Sequence, residues 1–280
     1  DVWALNPTCD ADAVYKFNTH ELEDVLNCEV YPNQVIQLCE EKYFIVELIE
    51  DGHCYLKHLL KDDAPDAYSV EPKNIAQAAA LELLFDDNVP CVVLTGEAGS
   101  GKTFLSLATA LDETDRGKYN RTIVSRTTTD LDADIGFLPG TEEEKMSPWL
   151  ESIADNIEAL IGDTDGKEIM DSAVALCQRK IQYKSLNFMR GRSIQNSIFI
   201  LDEGQNLTPH QIKTMITRIG QGSKLVILGD LSQIDNPYLS AYSSGLTYVI
   251  ERMKESYAVA HVHLNGSERS FLAQEANRLL

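Results

Sequence analysis

The residues with the clearest chemical use lie in one short stretch, Cys91–Leu111, which reads CVVLTGEAGSGKTFLSLATAL. In it, Gly96 is followed by four residues and then by Gly101-Lys102-Thr103. Glycines at this spacing let successive backbone N–H groups point inward at phosphate oxygens. Lys102 would reach the β- and γ-phosphates of a nucleotide, and the Thr103 hydroxyl would ligate Mg²⁺. The pattern predicts a phosphate-binding loop, with a ligand-free glycine-rich turn as the alternative. The predicted nucleotide contacts are Gly96, Glu97, Ala98, Gly99, Ser100, Gly101, Lys102, Thr103 and Phe104.

A second candidate site ends the apolar run Ser197–Glu203, which reads SIFILDE. Asp202 at the end of this predicted strand would hold Mg²⁺, directly or through water. Glu203 would orient and polarise the attacking water as general base. An Asp-Glu pair can also be a plain helix-start signal, but the phosphate-binding loop upstream favours the metal-and-base interpretation.

A third polar site follows the apolar run at the start of Lys224–Gln233, which reads KLVILGDLSQ. Gln233 is the candidate sensor of the γ-phosphate, because an amide can bond both the phosphate and the attacking water. The alternative is an ordinary polar loop residue.

Strands and helices alternate around these three sites. A strand before the glycine loop and a helix after it are the context that the motif requires. Continuous apolar strands joined by helices predict an α/β fold with a mostly parallel sheet covered on both faces. The expected strands are Cys91–Thr95, Thr122–Ser125, Ser197–Leu201, Lys224–Leu228 and His261–Leu264. The expected helices are Asn74–Phe85, Lys102–Leu111, Pro209–Arg218, Tyr242–Lys254 and Phe271–Leu280.

The chain before this region reads as a small β-rich module. Asp51-Gly52 is a hairpin-turn signal between two alternating apolar runs. The polar, proline-ended segment Lys61–Pro65 reads as a linker. The predicted organisation is a β-rich module at 1–66 and a nucleotide-binding domain at 67–280. The module's expected elements are a helix at Thr19–Asn27 and strands at Val35–Leu38, Tyr43–Leu48 and Cys54–Leu59.

The net charge of −20 argues against a surface that is basic throughout. Charge is unevenly distributed, because residues 1–70 carry 15 acids and 4 bases. Between Ser172 and Leu201 there is no acid, so this window could form a basic strip that docks a polyanion, or a solvated loop and helix face. Its bases are Arg179, Lys180, Lys184, Arg190 and Arg192.

Other features bear on the chain's location. No apolar run approaches the ~18 residues of a membrane span. The 6 cysteines are scattered without a CxxC pair, which is typical of reduced thiols in a cytoplasm. The chain begins with Asp1, with no signal peptide, which suggests a fragment or a processed chain.

Taken together, these blocks resemble the PhoH family of P-loop ATPases, whose sheet is related to one RecA-like domain of superfamily 1 helicases. The resemblance covers residues 71–280, and its blocks fall in the family's order. The matching blocks are PKNIAQ (Pro72–Gln77), LTGEAGSGKT (Leu94–Thr103), GFLPGTEEEKMSPW (Gly136–Trp149), MRGRSIQNSIFILDEGQN (Met189–Asn206), TRIGQGSKLVILGDLSQID (Thr217–Asp235) and SERS (Ser267–Ser270).

The resemblance implies further site residues. Gln77 would read the adenine edge, and Gln233 would match the family's γ-phosphate sensor. One arginine would add charge in the transition state, with Arg269 preferred over Arg218 and Arg218 over Arg126, each with a surface salt bridge as the alternative. Gly204 stands where many relatives have alanine, a departure expected to change little.

The resemblance also implies an assembly. A single RecA-like unit would need an arginine from a neighbouring subunit. The resemblance therefore implies a ring of subunits, expected to be a hexamer. The Gly136–Trp149 block would then be an interface or a central loop, and otherwise a Gly-Pro turn that opens a helix. Residues 20–70 are similar to the connector of longer members that begin with a PIN-type ribonuclease domain, whose nuclease activity is not carried over.

The predicted function is a Mg²⁺-dependent ATPase that couples hydrolysis to binding, unwinding or remodelling RNA. Its expected partners are ATP or ADP and single-stranded RNA, the latter through Arg190 and Arg192. The alternative is a nucleotide-gated switch or assembly factor that acts on a protein partner with slow turnover. A small-molecule kinase would share the loop but would need an acceptor pocket and lid arginines. The RNA used, the direction of movement and the role of residues 1–66 are not determined by the sequence.

Overall fold

A computed structural model of the protein describes residues 14–38, 42–127, 153–160, 180–184, 186 and 193–266. The strands are β1 (Val14–Asn18), β2 (Val35–Gln37), β3 (Tyr43–Glu50), β4 (His53–Leu59), β5 (Cys91–Gly96), β6 (Arg121–Arg126), β7 (Ile181–Tyr183), β8 (Ser197–Asp202), β9 (Lys224–Gly229) and β10 (Val259–Leu264). The helices are α1 (Thr19–Leu26), α2 (Ile75–Phe85), α3 (Lys102–Asp115), α4 (Pro209–Ile216) and α5 (Gly245–Met253). Residues 153–160 are also helical.

The larger sheet has six strands in the order β10-β5-β9-β8-β6-β7, and each neighbouring pair is parallel. Alternate side chains of its strands enter two hydrophobic clusters. On β5, Val92 and Leu94 belong to the cluster that contains α2 and α3. Cys91 and Val93 belong to the cluster that contains Ile212 of α4 and Leu246 of α5. Because the strands are buried on both faces, they read as continuous apolar runs, and the predicted helix-covered P-loop fold is confirmed.

The helix boundaries depend on caps. Thr208 and Gln211 form the predicted capping box at the start of α4. Helix α5 begins at Gly245, not at Tyr242, because the Ser244 side chain caps it and accepts a hydrogen bond from the Leu246 N–H. The predicted helix Phe271–Leu280 lies outside the described residues. None of the described helices is both long and apolar enough to cross a bilayer.

The sequence prediction missed two short strands, β1 and β7. Strand β7 has 3 residues at the sheet edge and pairs with β6. A run this short carries no periodic signal, so its pairing with β6 decides the conformation.

The smaller sheet is antiparallel, in the order β1-β4-β3-β2. Asp51 and Gly52 have left-handed φ values of 50° and 71°, as a hairpin turn between β3 and β4 requires. Ile45 and Leu59 of this sheet belong to a hydrophobic cluster of the larger sheet. The two sheets are therefore packed together, and the division of the chain at residue 66 stays a prediction.

A buried lysine joins β9 to the end of α2. Lys224 is 1% exposed. Its ammonium donates to the backbone oxygens of Leu83 (3.0 Å), Leu84 (2.6 Å) and Asp86 (2.8 Å). These are carbonyls that the end of a helix leaves without internal partners. Burial, with a smaller contribution from Lys118, lowers the pKa of Lys224 from 10.5 to about 8.

Replacing Lys224 with methionine is expected to lower the free energy of unfolding by about 2–4 kcal/mol at pH 7, because two buried carbonyls and one partly buried carbonyl lose their donor. Urea unfolding followed by circular dichroism measures this, with the exposed Lys213→Met as control. Between about pH 8 and 10.5 the folded state binds fewer protons at this site than the unfolded state. The stability advantage of the wild type should therefore grow as the pH rises through that window, and a constant or shrinking difference would contradict the assignment.

Candidate nucleotide-binding site

The glycine loop has the backbone that its sequence predicts. Gly96, Gly99 and Gly101 have positive φ values of 144°, 85° and 98°. A Cβ atom on Gly96 would lie 2.4 Å from the backbone oxygen of Leu264 on the neighbouring strand β10. Helix α3 begins at Lys102, directly after the loop. The positive end of a helix therefore faces the position where phosphates would bind.

Lys102 lies against the loop that it follows. Its Nζ atom donates to the backbone oxygens of Gly96 (2.6 Å) and Glu97 (2.8 Å). A lysine folded over the loop in this way holds a positive charge where the β- and γ-phosphates are expected.

Gln77 braces the same loop from α2. Its Nε2 atom donates to the Ser100 backbone oxygen (3.1 Å), and its Oε1 atom accepts from the Lys73 N–H (2.8 Å). The amide thus hydrogen-bonds both to the loop and to the residues just before α2. Its predicted contact with the adenine edge stays a prediction.

A cavity of about 640 Å³ opens at the carboxyl ends of the parallel strands. It is lined by six of the predicted loop residues, by Gln77 and by both polar sites predicted after strands, at Asp202-Glu203 and at Gln233. Gly96, Glu97 and Ser100 belong to the loop but do not line the cavity; they supply the carbonyl oxygens described above. The lining includes Gln77, Ala98, Gly99, Gly101, Lys102, Thr103, Phe104, Arg126, Asp202, Glu203, Gly229, Asp230 and Gln233.

Asp202 and Glu203 meet the cavity where β8 ends. The Asp202 Oδ1 atom accepts from the Glu203 N–H (3.0 Å). Glu203 has a left-handed backbone, with φ 57° and ψ 37°. That conformation costs a non-glycine residue on the order of 1–3 kcal/mol, and such residues cluster at functional sites.

Gln205 lies in a block that resembles the family, but its sequence alone indicates no role for it. Its side chain is fully buried. Nε2 donates to Glu203 Oε2 (2.6 Å) and to the Gln233 backbone oxygen (3.0 Å), and Oε1 accepts from the Asp230 N–H (3.1 Å). Gln205 thus joins the loops that follow β8 and β9. Its position two residues after Glu203 was the available signal.

Gly204 has no side chain, and this lets the turn after Glu203 pack closely against β9. A Cβ atom there would lie 2.7 Å from Ile227 Cγ2 on β9. An alanine at this position would need β9 or the turn to shift, so glycine here has a local packing consequence.

The candidate arginines have different positions. Arg126, the least preferred of the three from sequence, lines the cavity, and its Nη2 atom donates to Glu203 Oε1 (2.8 Å). Arg218 is not among the residues that line the cavity. Arg269, Arg190, Arg192 and the Gly136–Trp149 block lie outside the described residues. In the basic strip, Lys180 forms an ion pair with Asp115.

The donor set fits a magnesium ion shared with a nucleotide. Thr103 and Asp202 both line the cavity. Asp230 also lines it, and its buried Oδ2 atom has no hydrogen-bond partner within the described part of the chain. Hydroxyl and carboxylate oxygens are hard donors of the kind that Mg²⁺ takes, with substrate phosphates and water completing the shell.

Comparison with known proteins identifies the family. The family model for PhoH-like proteins matches residues 69–278. This chain belongs to the PhoH family. The match spans the glycine loop and the ends of β8 and β9, so the PhoH-family assignment and the cavity concern the same residues.

Curated PhoH-family relatives extend over more chain than this one. Protein PhoH2 of Bacillus subtilis is 42% identical over 270 residues, which are 95% of this chain and 60% of that protein. Protein PhoH2 of Mycolicibacterium smegmatis is 33% identical over 217 residues, 77% of this chain and 48% of its own length. The chain therefore spans about half to 60% of these relatives.

Among solved structures, the Pif1 helicase of Candida albicans aligns with 75% of this chain and 43% of its own, with a TM-score of 0.36 and 17% identity.

Proposed function

We propose that this chain is a Mg²⁺-dependent ATPase that couples hydrolysis to remodelling or translocating RNA as an oligomeric ring. The observation that carries the hydrolysis proposal is the single cavity lined by Lys102, Thr103, Asp202, Glu203 and Gln233. These residue types match the phosphate, metal, base and sensor positions of a P-loop hydrolase.

Each side chain has one task in the proposed reaction. The glycine loop and Lys102 bind the β- and γ-phosphates, and Thr103 and Asp202 hold the metal ion. Bound Mg²⁺ would neutralise charge on the β- and γ-phosphate oxygens. Glu203 orients a water in line with the γ-phosphorus and accepts its proton. The new bond joins the water oxygen to that phosphorus, and the bond to the β,γ-bridging oxygen breaks, which leaves ADP and phosphate. The contribution of Arg269 stays a prediction.

A nucleotide-gated switch that acts on a protein partner is the second candidate, and one surface favours it. Tyr238 and Tyr242 are 92% and 94% exposed. They lie in the loop after Gln233, and residues 225–251 contain no lysine or arginine. Exposed tyrosine without basic neighbours suits a protein surface better than a polyanion.

The RNA-coupled ATPase and the protein-acting switch are separated by measuring ATP turnover of size-fractionated protein. Turnover is measured with and without single-stranded RNA, and with Mg²⁺ or excess chelator. We expect turnover that needs Mg²⁺, resides in an oligomeric fraction and is stimulated by RNA. Neutralising Arg190 and Arg192 to glutamine should weaken the apparent RNA affinity and reduce its salt slope by about 0.7 for each residue. The exposed Arg252→Gln is the matched control. Turnover indifferent to RNA at low salt would favour the protein-acting switch.

A further inference from the structure

The Glu203 carboxylate is held on both oxygens. Arg126 Nη2 donates to Oε1 at 2.8 Å, and Gln205 Nε2 donates to Oε2 at 2.6 Å. The general base of the proposed reaction is therefore restrained from two sides.

The two restraints differ in how firmly they are anchored. Gln205 is fully buried and is tied by its amide to the backbone of Asp230 and Gln233. The Arg126 side chain is 39% exposed and lines the cavity. It projects from the last residue of β6, which pairs in register with Asp202. The arginine can therefore reorient within the cavity while the glutamine stays in place.

A triphosphate would compete for Arg126. Phosphate oxygens bind a guanidinium in the same forked geometry as a carboxylate does. The loop and Lys102 would bring the γ-phosphate into the cavity that Arg126 lines. ADP has no γ-phosphate to offer the arginine.

We propose that Arg126 is a positioning residue that restrains Glu203 and is drawn from it by the γ-phosphate of a bound nucleoside triphosphate. The Oε1 atom of Glu203 is then released to accept the proton of the attacking water only when a hydrolysable phosphate is bound, while Gln205 keeps Oε2 in place. This inference rests on the proposed nucleotide hydrolysis. It gives Arg126 a function distinct from supplying charge in the transition state.

A double-mutant cycle on nucleotide binding tests the restraint without relying on activity. Affinities for ADP and for a non-hydrolysable ATP analogue, both with Mg²⁺, are measured by calorimetry for the wild type, Glu203→Gln, Arg126→Gln and the double variant. Triphosphate binding to the wild type must break the ion pair, so Glu203→Gln should tighten analogue binding about 5- to 10-fold and ADP binding less than about 2-fold. In the Arg126→Gln background the gain should vanish.

Arg121→Gln is the matched control, because Arg121 begins the same strand, donates to Ser197 Oγ (3.2 Å) and does not line the cavity. The Glu203→Gln gain should persist in its background. Thermal unfolding of each variant verifies folding.

A gain that is equal for ADP and the analogue, or that persists in Arg126→Gln, would mean that removing the Glu203 charge simply favours anions. That result overturns the restraint and leaves the proposed function standing. If the wild type binds neither nucleotide, the proposed function and the restraint fail together.

Discussion

Replacing Lys102 with alanine is expected to reduce ATP turnover by at least roughly 100- to 1,000-fold and to weaken nucleotide binding. The ammonium holds charge over the loop, 2.6 Å and 2.8 Å from two of its carbonyl oxygens. Removing a single positioned donor from developing phosphate charge typically costs that much in rate. Steady-state phosphate release and calorimetric titration with ADP measure the two effects.

The control for Lys102 is Lys213→Ala, an exposed lysine on α4 that does not line the cavity. It should leave both turnover and affinity within about 2-fold of the wild type, as surface substitutions usually do. Turnover like that of the wild type in Lys102→Ala would refute the assignment of the glycine loop as the phosphate site.

Replacing Glu203 with glutamine is expected to reduce turnover by about 100- to 10,000-fold, while ADP still binds and a triphosphate binds at least as tightly as to the wild type. The amide keeps the shape of the side chain, but its single oxygen can accept from only one of the two donors, Arg126 or Gln205, and it cannot take a proton from water. Single-turnover hydrolysis separates this loss from any change in affinity or product release.

Asp235→Asn is a suitable control for the loss of one negative charge, because Asp235 lies near the site but does not line the cavity. Its carboxylate accepts from Asn206 Nδ2 at 3.4 Å. Near-normal turnover in this variant would assign the effect of Glu203→Gln to the base itself. Loss of nucleotide binding in Glu203→Gln, in place of loss of turnover, would show that the role of Glu203 is misassigned.

The sequence predicted those parts of the site whose geometry depends on residues close to one another in the chain. Gly96, Gly99 and Gly101 have positive φ values, and their local spacing in the sequence is enough to predict a loop of this conformation. Lys102 and Thr103 open α3 because the apolar spacing of a helix starts there. Asp202 ends a buried strand, and parallel strands end at one edge of a sheet, so it reaches the cavity that Thr103 lines.

Contacts between distant residues were not predictable in the same way. The Arg126–Glu203 pair spans 77 residues, and the Lys224 bond to Leu84 spans 140. Asn33 donates to the backbone of Tyr257 across 224 residues. A lysine at the start of a strand or an arginine at its end reads as a surface charge, because charged side chains are rarely buried and the sequence does not show which ones have buried partners.

The sequence alone therefore determined the parallel sheet and the glycine loop, since these follow from local spacing and from the period of apolar residues. The family followed from the resemblance of its matching blocks. Only the tertiary structure decided that Arg126 donates to Glu203, that Gln205 joins the loops after β8 and β9 and that Lys224 caps the end of α2. Strand order and side-chain reach bring these groups together, and both are set by packing between elements far apart in the chain.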